Sequence, residues 1–101
     1  MTQNALDQVI HAESRLRIMA TLAGLPVGDE IAFPKLRAVL GMTAGNLSTH
    51  LRKIEDAGYL TQTKTFEGRT PATYLALTPA GRRAFEEYVE NLRSVLSRPA
   101  P

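Results

Sequence analysis

The sequence predicts a mainly α-helical domain that carries one β-hairpin, an α+β fold. The hairpin is predicted over residues 59–77, where Thr and aromatic residues, which favour strands, flank turn residues at 67–71. On both sides of it, apolar residues recur at three- and four-residue steps, which indicates helices. Two of these helices are separated by little more than Gly41, Met42 and Thr43, and so short a connection is typical of a helix-turn-helix.

Length and composition are those of an ordinary globular protein. The 101 residues suit a single domain over 1–101, and 44% hydrophobic with 22% charged residues is a usual balance. The absence of Cys excludes a disulfide framework, a thiolate zinc site and a cysteine nucleophile, and it fits a reducing cytosol. The start MTQNALDQVI lacks the pattern of a signal peptide, and no apolar run reaches the ~20 residues of a membrane span. We therefore expect a cytoplasmic protein with no membrane partner.

Two short helical patterns are predicted within residues 4–24. The first carries an apolar stripe formed by Leu6, Val9 and Ile10. The second starts near Ser14, a capping residue, and repeats apolar residues at helical spacing: Leu16, Met19, Leu22 and Ala23. A short strand at residues 30–32 is predicted to precede the next helix.

The helix-turn-helix is predicted over residues 33–57. Its first helix has Pro34 at the start, where a missing amide costs nothing, and buries Leu36, Val39 and Leu40. Its second helix is capped by Thr43 and packs on the core through a stripe at steps of four and three: Leu47, Leu51 and Ile54. The opposite face carries Gly45, Thr49, Arg52 and Asp56, and Asn46 and Lys53 flank it, so its start is small and polar and cations follow further along.

The last helix is predicted over residues 78–97, with Thr78 as its cap and Pro79 at its first position. It carries a broad apolar stripe: Phe85, Tyr88, Val89, Leu92, Val95 and Leu96. A domain of this size covers only part of such a stripe, and an exposed stripe marks a partner surface. We therefore expect a two-fold homodimer in which this helix packs on its mate, helped by Leu6, Val9 and Ile10.

The order of helices and hairpin is that of a winged helix domain, and several motifs make the resemblance more specific. The stretches FPKL, GMTAGNLSTHLRKIEDAGYL, GRTP and LTPAG, spread over residues 33–81, resemble those of small single-domain winged helix transcription regulators of the MarR/ArsR-like groups. The similarity covers roughly residues 5–97. It implies a homodimer with a recognition helix in the DNA major groove and a wing along the DNA backbone. ArsR-like metal sensors use clusters of Cys or His, whereas this chain has only His11 and His50, so no metal or cofactor is predicted.

The polar face of the 44–57 helix suits DNA because the major groove admits a helix and shows it donors and acceptors on the base edges. Small residues at the tip allow close approach, Asn46 can pair with adenine, and Arg52 can reach guanine or a phosphate. Lys64 and Arg69 on the hairpin can reach the backbone or the minor groove. The predicted DNA-binding residues are Thr43, Ala44, Gly45, Asn46, Ser48, Thr49, Arg52, Lys53, Lys64 and Arg69.

The sequence thus predicts a sequence-specific regulator that binds double-stranded DNA, a repressor by default because only DNA-binding and dimer surfaces are apparent. An enzyme is disfavoured, since the neighbouring pairs Glu86-Glu87 and Glu55-Asp56 point about 100° apart on helices and form no acid–base pair. Two alternatives stay open. One is a winged helix used as a protein-interaction module, and the other is a DNA binder that also senses an unidentified small-molecule effector in the dimer crevice.

Overall fold

The computed structural model describes residues 5–98, which form four helices and one three-stranded antiparallel sheet. Residues 1–4 and 99–101 lie outside the described residues, and with them the predicted start of the first helical pattern at residue 4. The elements in chain order are α1 (Glu13–Ala23), β1 (Ile31–Ala32), α2 (Phe33–Leu40), α3 (Ala44–Asp56), β2 (Leu60–Glu67), β3 (Thr70–Leu77) and α4 (Pro79–Ser97). The predicted mainly α-helical fold with a hairpin wing is confirmed.

The sheet has the strand order β1-β3-β2, so the hairpin strand β3 is central. Ile31 pairs with Leu75, which confirms the short strand predicted before α2. The hairpin ladder runs from the Leu60–Leu77 pair to the Glu67–Thr70 pair. Its strands therefore reach further towards the tip than predicted, and they leave a tight turn of Gly68 and Arg69. Gly68 has φ of 68°, a left-handed value that favours glycine and closes so short a loop.

The predicted caps fix where α3 and α4 begin. Thr43 Oγ1 accepts a hydrogen bond from Asn46 N at 3.1 Å, and Thr78 Oγ1 accepts one from Gly81 N at 2.9 Å. Gly41, with φ of 67°, ends α2 in the left-handed conformation that a glycine adopts without strain. These local signals end α2 and begin α3 so that only the short connection predicted from the sequence lies between the two helices.

One hydrophobic core joins all four helices to the base of the sheet. Leu47, Leu51 and Ile54 of α3 are fully buried in it, as predicted, together with Leu36 and Leu40 of α2. Val39 was predicted to be buried with them, but it is 54% exposed. The short helix α2 turns only its Leu36/Leu40 face inward, and Val39, one residue before Leu40, lies off that face.

The segment before α1 is not the helix that its apolar spacing predicted. Residues 8–10 form a turn, residues 11 and 12 a bend, and α1 begins at Glu13 rather than at a Ser14 cap. Asp7 Oδ1 accepts hydrogen bonds from Val9 N at 2.8 Å and Ile10 N at 3.4 Å, which offers the backbone an alternative to helical bonding. The apolar side chains still pack inward, and Ile10 is fully buried.

Side chains from elsewhere in the fold hold this segment in place. Arg15 Nε donates to Val9 O at 2.5 Å. Tyr59 Oη donates to Asp7 Oδ2 at 2.5 Å, and this hydrogen bond, with burial and the carboxylate charge, raises the pKa of Tyr59 to about 12. The segment is therefore attached to α1 and to the base of the hairpin.

The start of α4 packs directly on the residue that leads into β2. Thr78 N donates to Tyr59 O at 3.0 Å, and Thr78 Oγ1 donates to Gly58 O at 2.7 Å. A Cβ added at Gly81 would lie 2.7 Å from Tyr59 C and 2.9 Å from Tyr59 Cα, well inside carbon–carbon contact of about 3.5 Å. Glycine at position 81 is thus what allows the last helix to approach the hairpin base.

Candidate nucleic-acid interface

The outer face of α3 is open to solvent along its whole length. The three buried apolar residues fix the helix on the core, so its rotation about its own axis is determined. All of the residues on α3 and its cap that were predicted to touch DNA are exposed: Thr43, Ala44, Gly45, Asn46, Ser48, Thr49, Arg52 and Lys53. The structure therefore brings them together on one surface.

The tip of α3 is small and partly unsatisfied in hydrogen bonding. A Cβ added at Gly45 would meet nothing within 4 Å, so the space in front of the helix start is free. Within residues 5–98 the Asn46 side-chain amide makes no hydrogen bond, which leaves its donors and acceptor available. The hydroxyl of Thr49 donates to Gly45 O at 3.0 Å. The Thr49 side chain thus offers an outer partner its methyl group and hydroxyl lone pairs.

Within residues 5–98, the cations on α3 and the hairpin have no acidic partner in contact. In the described part of the chain one ion pair is found, between Arg93 Nη1 and Glu90 Oε1 at 3.4 Å on α4. Arg52, Lys53, Lys64 and Arg69 are exposed and belong to no ion pair among residues 5–98. Their charge is thus available to a polyanion.

Alternation along β2 decides which hairpin side chains share a side with α3. Leu60 is buried in the core, and Gln62 on the same face donates from Nε2 to Glu55 Oε1 of α3 at 3.0 Å. Lys64, two residues further, lies on this α3 side of the hairpin, whereas Thr63 and Thr65 lie on the other. Arg69 occupies the tight turn at the tip. Leu60 is the buried residue of β2 and every residue from Thr63 to Glu67 is exposed, so the outer half of the hairpin projects into solvent.

Two exposed residues beside this surface were missed at the level of sequence. Phe66 is 68% exposed and lies on the α3 side of the hairpin with Lys64. It was counted only as a strand-forming aromatic residue, although period-two alternation along the strand would have grouped it with Lys64. Arg37 of α2 lines a surface hollow with Gly41 and Thr43, which puts a further cation next to the start of α3.

Arg15, Arg17 and His50 have structural contacts. Arg17 Nη2 donates to Leu40 O at 2.8 Å and so satisfies a carbonyl at the end of α2. Arg15, besides holding Val9, places Nη1 3.4 Å from His50 Nδ1. Burial, and then the charges of Arg15 and Lys53, lower the pKa of His50. His50 is therefore a half-buried residue that packs at the inner edge of α3.

The residues predicted for the dimer interface divide into three groups. Ile10 and Tyr88 lie in the core of the protomer, and Tyr88 Oη is 2.7 Å from His11 Nδ1, so these two side chains have no surface to offer a partner. A second group is half-buried against the core: Leu6, Val9, Phe85, Val89 and Leu92. The third group, at the far end of α4, is exposed: Val95 at 39% and Leu96 at 76%.

Residues 5–98 offer neither a metal site nor a membrane-spanning helix. No group of three or more His, Asp or Glu residues in this part of the chain could hold a metal ion. None of the helices in the same range combines the length and apolar character needed to cross a membrane.

Comparisons with known proteins agree with this architecture. The family model described as "Winged helix DNA-binding domain" matches residues 14–96. An uncharacterized protein of Methanocaldococcus jannaschii is 34% identical over 83 residues, which are 81% of this chain and 86% of that protein. The structure of a transcriptional regulator homologue from Pyrococcus horikoshii OT3 has a TM-score of 0.80 at 27% identity, covering 89% of this chain and 86% of that one. The S. aureus MepR–DNA complex shares the fold, with a TM-score of 0.72 at 15% identity over 89% of this chain and 71% of that one.

The resemblance to small winged helix regulators is thereby confirmed. The matched residues 14–96 contain α1 to β3 and nearly all of α4, so they include the helix-turn-helix, the wing and the start of the last helix that packs on it. This chain belongs to the family of winged helix DNA-binding domains.

Proposed function

We propose that this protein is a sequence-specific transcription regulator that binds double-stranded DNA as a homodimer. The observation that carries the proposal is the shared side of α3 and the hairpin. An open, small and polar helix tip lies on the same side as cations that have no acidic partner in residues 5–98. The DNA-binding description of the family and the DNA complex formed by a protein of the same fold support this assignment.

In the proposed complex, α3 enters the major groove with its start leading. Ala44 and Gly45 allow the backbone to approach, and the free Asn46 amide can pair with the N6 and N7 edge of adenine. Arg52, about 1.7 turns beyond Asn46 along the helix, reaches guanine or a phosphate. The amides at the start of the helix favour a nearby phosphate as well.

The hairpin adds contacts beside the groove that α3 reads. Lys64 lies on the α3 side of the hairpin and Arg69 at its tip, so both can approach the phosphate backbone or the adjacent minor groove. Each phosphate that such a cation neutralises releases counterions, which makes the affinity depend on salt.

The far end of α4 supports the homodimer. Val95 and Leu96 are exposed, and with Val89 and Leu92 they form an apolar surface at the end of a helix of 19 residues. The Cα radius of gyration is 15.1 Å, which exceeds the ~13 Å expected of a compact chain of this length. The excess is consistent with elements that project from the core. Pairing of two α4 helices would place two α3 helices on half-sites about 34 Å apart. A mass near 11 kDa by light scattering at micromolar concentration would end this part of the proposal.

Repression is the mode of regulation that we propose. A dimer of this size that covers its operator occludes other proteins, whereas activation needs a further surface for the transcription machinery. Reporter expression from the bound promoter would decide the sign of regulation, because removal of the protein raises expression if it is a repressor.

Fluorescence anisotropy tests DNA reading by α3. The DNA upstream of the protein's own gene is compared with a shuffled sequence at two salt concentrations, with an Asn46→Ala/Arg52→Ala double variant beside the wild type. Preference for the natural sequence that disappears in the double variant is expected. Equal binding of both DNAs would indicate an architectural binder, and no binding to either at low salt would favour a protein-interaction module.

A further inference from the structure

An exposed apolar pair near the tip of the hairpin is not among the predicted DNA-binding residues. Phe66 is 68% exposed, and its cross-strand partner Pro71 is exposed as well. Directly opposed residues of antiparallel strands lie on the same face, so the two form one surface, the apolar wing patch (Phe66 and Pro71). A phenyl ring left in water forgoes the favourable burial that places most such rings in a core.

The charges around the apolar wing patch fit a polyanion. Lys64 precedes Phe66 on the same face of β2, and Arg69 follows it in the turn. Glu67, the nearest carboxylate in the sequence, lies on the opposite face and accepts a hydrogen bond from Tyr74 Oη. An aromatic ring between two cations, with the acidic side chain turned away and engaged, is complementary to a nucleic-acid groove.

The reach of the hairpin agrees with the spacing of DNA grooves. Gln62 contacts Glu55 of α3, and Phe66 lies four residues further along β2, or about 13 Å. Neighbouring major and minor grooves on one face of DNA are separated by about half a helical turn, or roughly 17 Å. With α3 in the major groove, the apolar wing patch therefore comes close to the next minor groove.

We propose that Phe66 enters the minor groove beside the half-site that α3 reads and packs on the sugars and base edges there. Lys64 and Arg69 lie on the phosphates at the two edges of that groove. Minor-groove proteins insert apolar side chains in this way and use the width and deformability of the flanking DNA. This inference rests on the proposed function and adds a specificity-determining residue outside the recognition helix.

Two consequences distinguish Phe66 from the cations beside it. An apolar side chain neutralises no phosphate, so Phe66→Ala is expected to weaken DNA binding about tenfold and to leave the salt slope unchanged. A contact in the minor groove is also sensitive to the exocyclic amino group that a G·C pair places on the groove floor. Replacing adenine by 2,6-diaminopurine in the flank adds that group and leaves the pairing intact.

The experiment uses the full chain and a duplex of about 30 base pairs selected from random DNA by the wild-type protein. Wild type, Phe66→Ala and Phe66→Leu are titrated against the selected duplex and against the duplex with diaminopurine flanks. Thr65→Ala, on the opposite face of the same strand, is the matched control. Circular dichroism melting of each variant separates loss of contact from loss of the hairpin.

The inference predicts that diaminopurine weakens wild type and has no effect on Phe66→Ala, that Phe66→Leu keeps part of the affinity, and that Thr65→Ala behaves as wild type. Wild-type affinity in Phe66→Ala would overturn the inference and leave the proposed function intact. Weaker binding by Phe66→Ala with an unchanged diaminopurine effect would place Phe66 outside the minor groove and would also overturn it. Failure of the wild type to select or bind any duplex would overturn the proposed function, and this inference with it.

Discussion

Replacing Gly81 by Ala is expected to destabilise the protein, although a glycine-to-alanine change in a helix usually stabilises it. Gly81 is the third residue of α4, and alanine there would favour the helix by about 1 kcal/mol on propensity alone. The structure predicts a net loss of stability, because the added Cβ would lie 2.7 Å from Tyr59 C and 2.9 Å from Tyr59 Cα. Backbone atoms cannot move aside as a flexible side chain can, so α4 must shift away from the hairpin base by roughly 1 Å.

The size of the loss follows from what this shift disturbs. Overpacking at a tight contact costs about 1–3 kcal/mol. The hydrogen bonds of Thr78 to Tyr59 O at 3.0 Å and to Gly58 O at 2.7 Å cross the same contact, and each contributes about 0.5–1.5 kcal/mol. After the gain in helix propensity is subtracted, Gly81→Ala is expected to lower the free energy of unfolding by about 3 kcal/mol. For a chain of this length the melting temperature falls by about 10–20 °C.

Gly45→Ala is the matched control, since it makes the same change in a helix where a Cβ meets nothing within 4 Å. It is expected to raise the free energy of unfolding by about 0.5–1 kcal/mol, and to weaken DNA binding if the start of α3 approaches the bases. Urea denaturation followed by circular dichroism measures both variants at one fixed protein concentration, since the proposed dimer would contribute to stability. A Gly81→Ala protein as stable as Gly45→Ala would refute the close packing of α4 on Tyr59.

Three further predictions concern charge, assembly and pH. Arg69→Ala is expected to weaken binding to specific and non-specific DNA about equally and to reduce the salt slope by about 1, as measured by anisotropy at several salt concentrations; unchanged affinity would remove Arg69 from the interface. Leu96→Glu, at a side chain that is 76% exposed, is expected to raise the dimer dissociation constant at least about tenfold in sedimentation. The control Val27→Glu, at a side chain that is 81% exposed in the α1–β1 loop, is expected to leave this constant unchanged. Equal effects of the two substitutions would argue against the α4 interface. Because the pKa of His50 is lowered in the folded protein, the unfolded chain binds this proton more tightly, so the contribution of His50 to stability is present above the ordinary value of 6.5 and is lost as the pH falls. Melting temperatures at pH about 7.5 and 5.5 should therefore differ less in His50→Gln than in wild type. An equal difference in the two proteins would count against this contribution.

Features set by local chemistry could be predicted from the sequence. Thr43 and Thr78 are caps because their hydroxyl oxygens satisfy amides three residues on, and this depends only on neighbouring residues. The buried face of α3 follows from helical periodicity at Leu47, Leu51 and Ile54. The same periodicity put the polar residues of α3 on the opposite, exposed face, so the surface of the candidate site was predictable.

Features decided by distant contacts could not be predicted in this way. The spacing of Leu6, Val9 and Ile10 fits a helix, but Asp7, held by Tyr59 from 52 residues away, bonds the amides that a helix would use. The sequence predicted Tyr88 as part of the dimer stripe, whereas in the structure it lies in the core and contacts His11. Both cases need the tertiary structure, because the competing interactions come from residues that are not neighbours in the sequence.

The side of the hairpin that faces α3 lies between these two cases. Alternation along β2 groups Phe66 with Lys64 from the sequence alone. That this group shares its side with α3 is visible only through the buried Leu60 and the contact between Gln62 and Glu55. The position of Phe66 beside the candidate interface was missed for that reason.

Hydroxyl-radical footprinting of the wild-type protein on its selected duplex tests the central claim most directly. A dimer with α3 in successive major grooves and hairpins beside them protects the backbone in two symmetric patches on one face of the DNA, with centres about one helical turn apart. That pattern is the result that we expect. A single asymmetric patch, or uniform protection along the duplex, would contradict a dimer that reads two half-sites through α3.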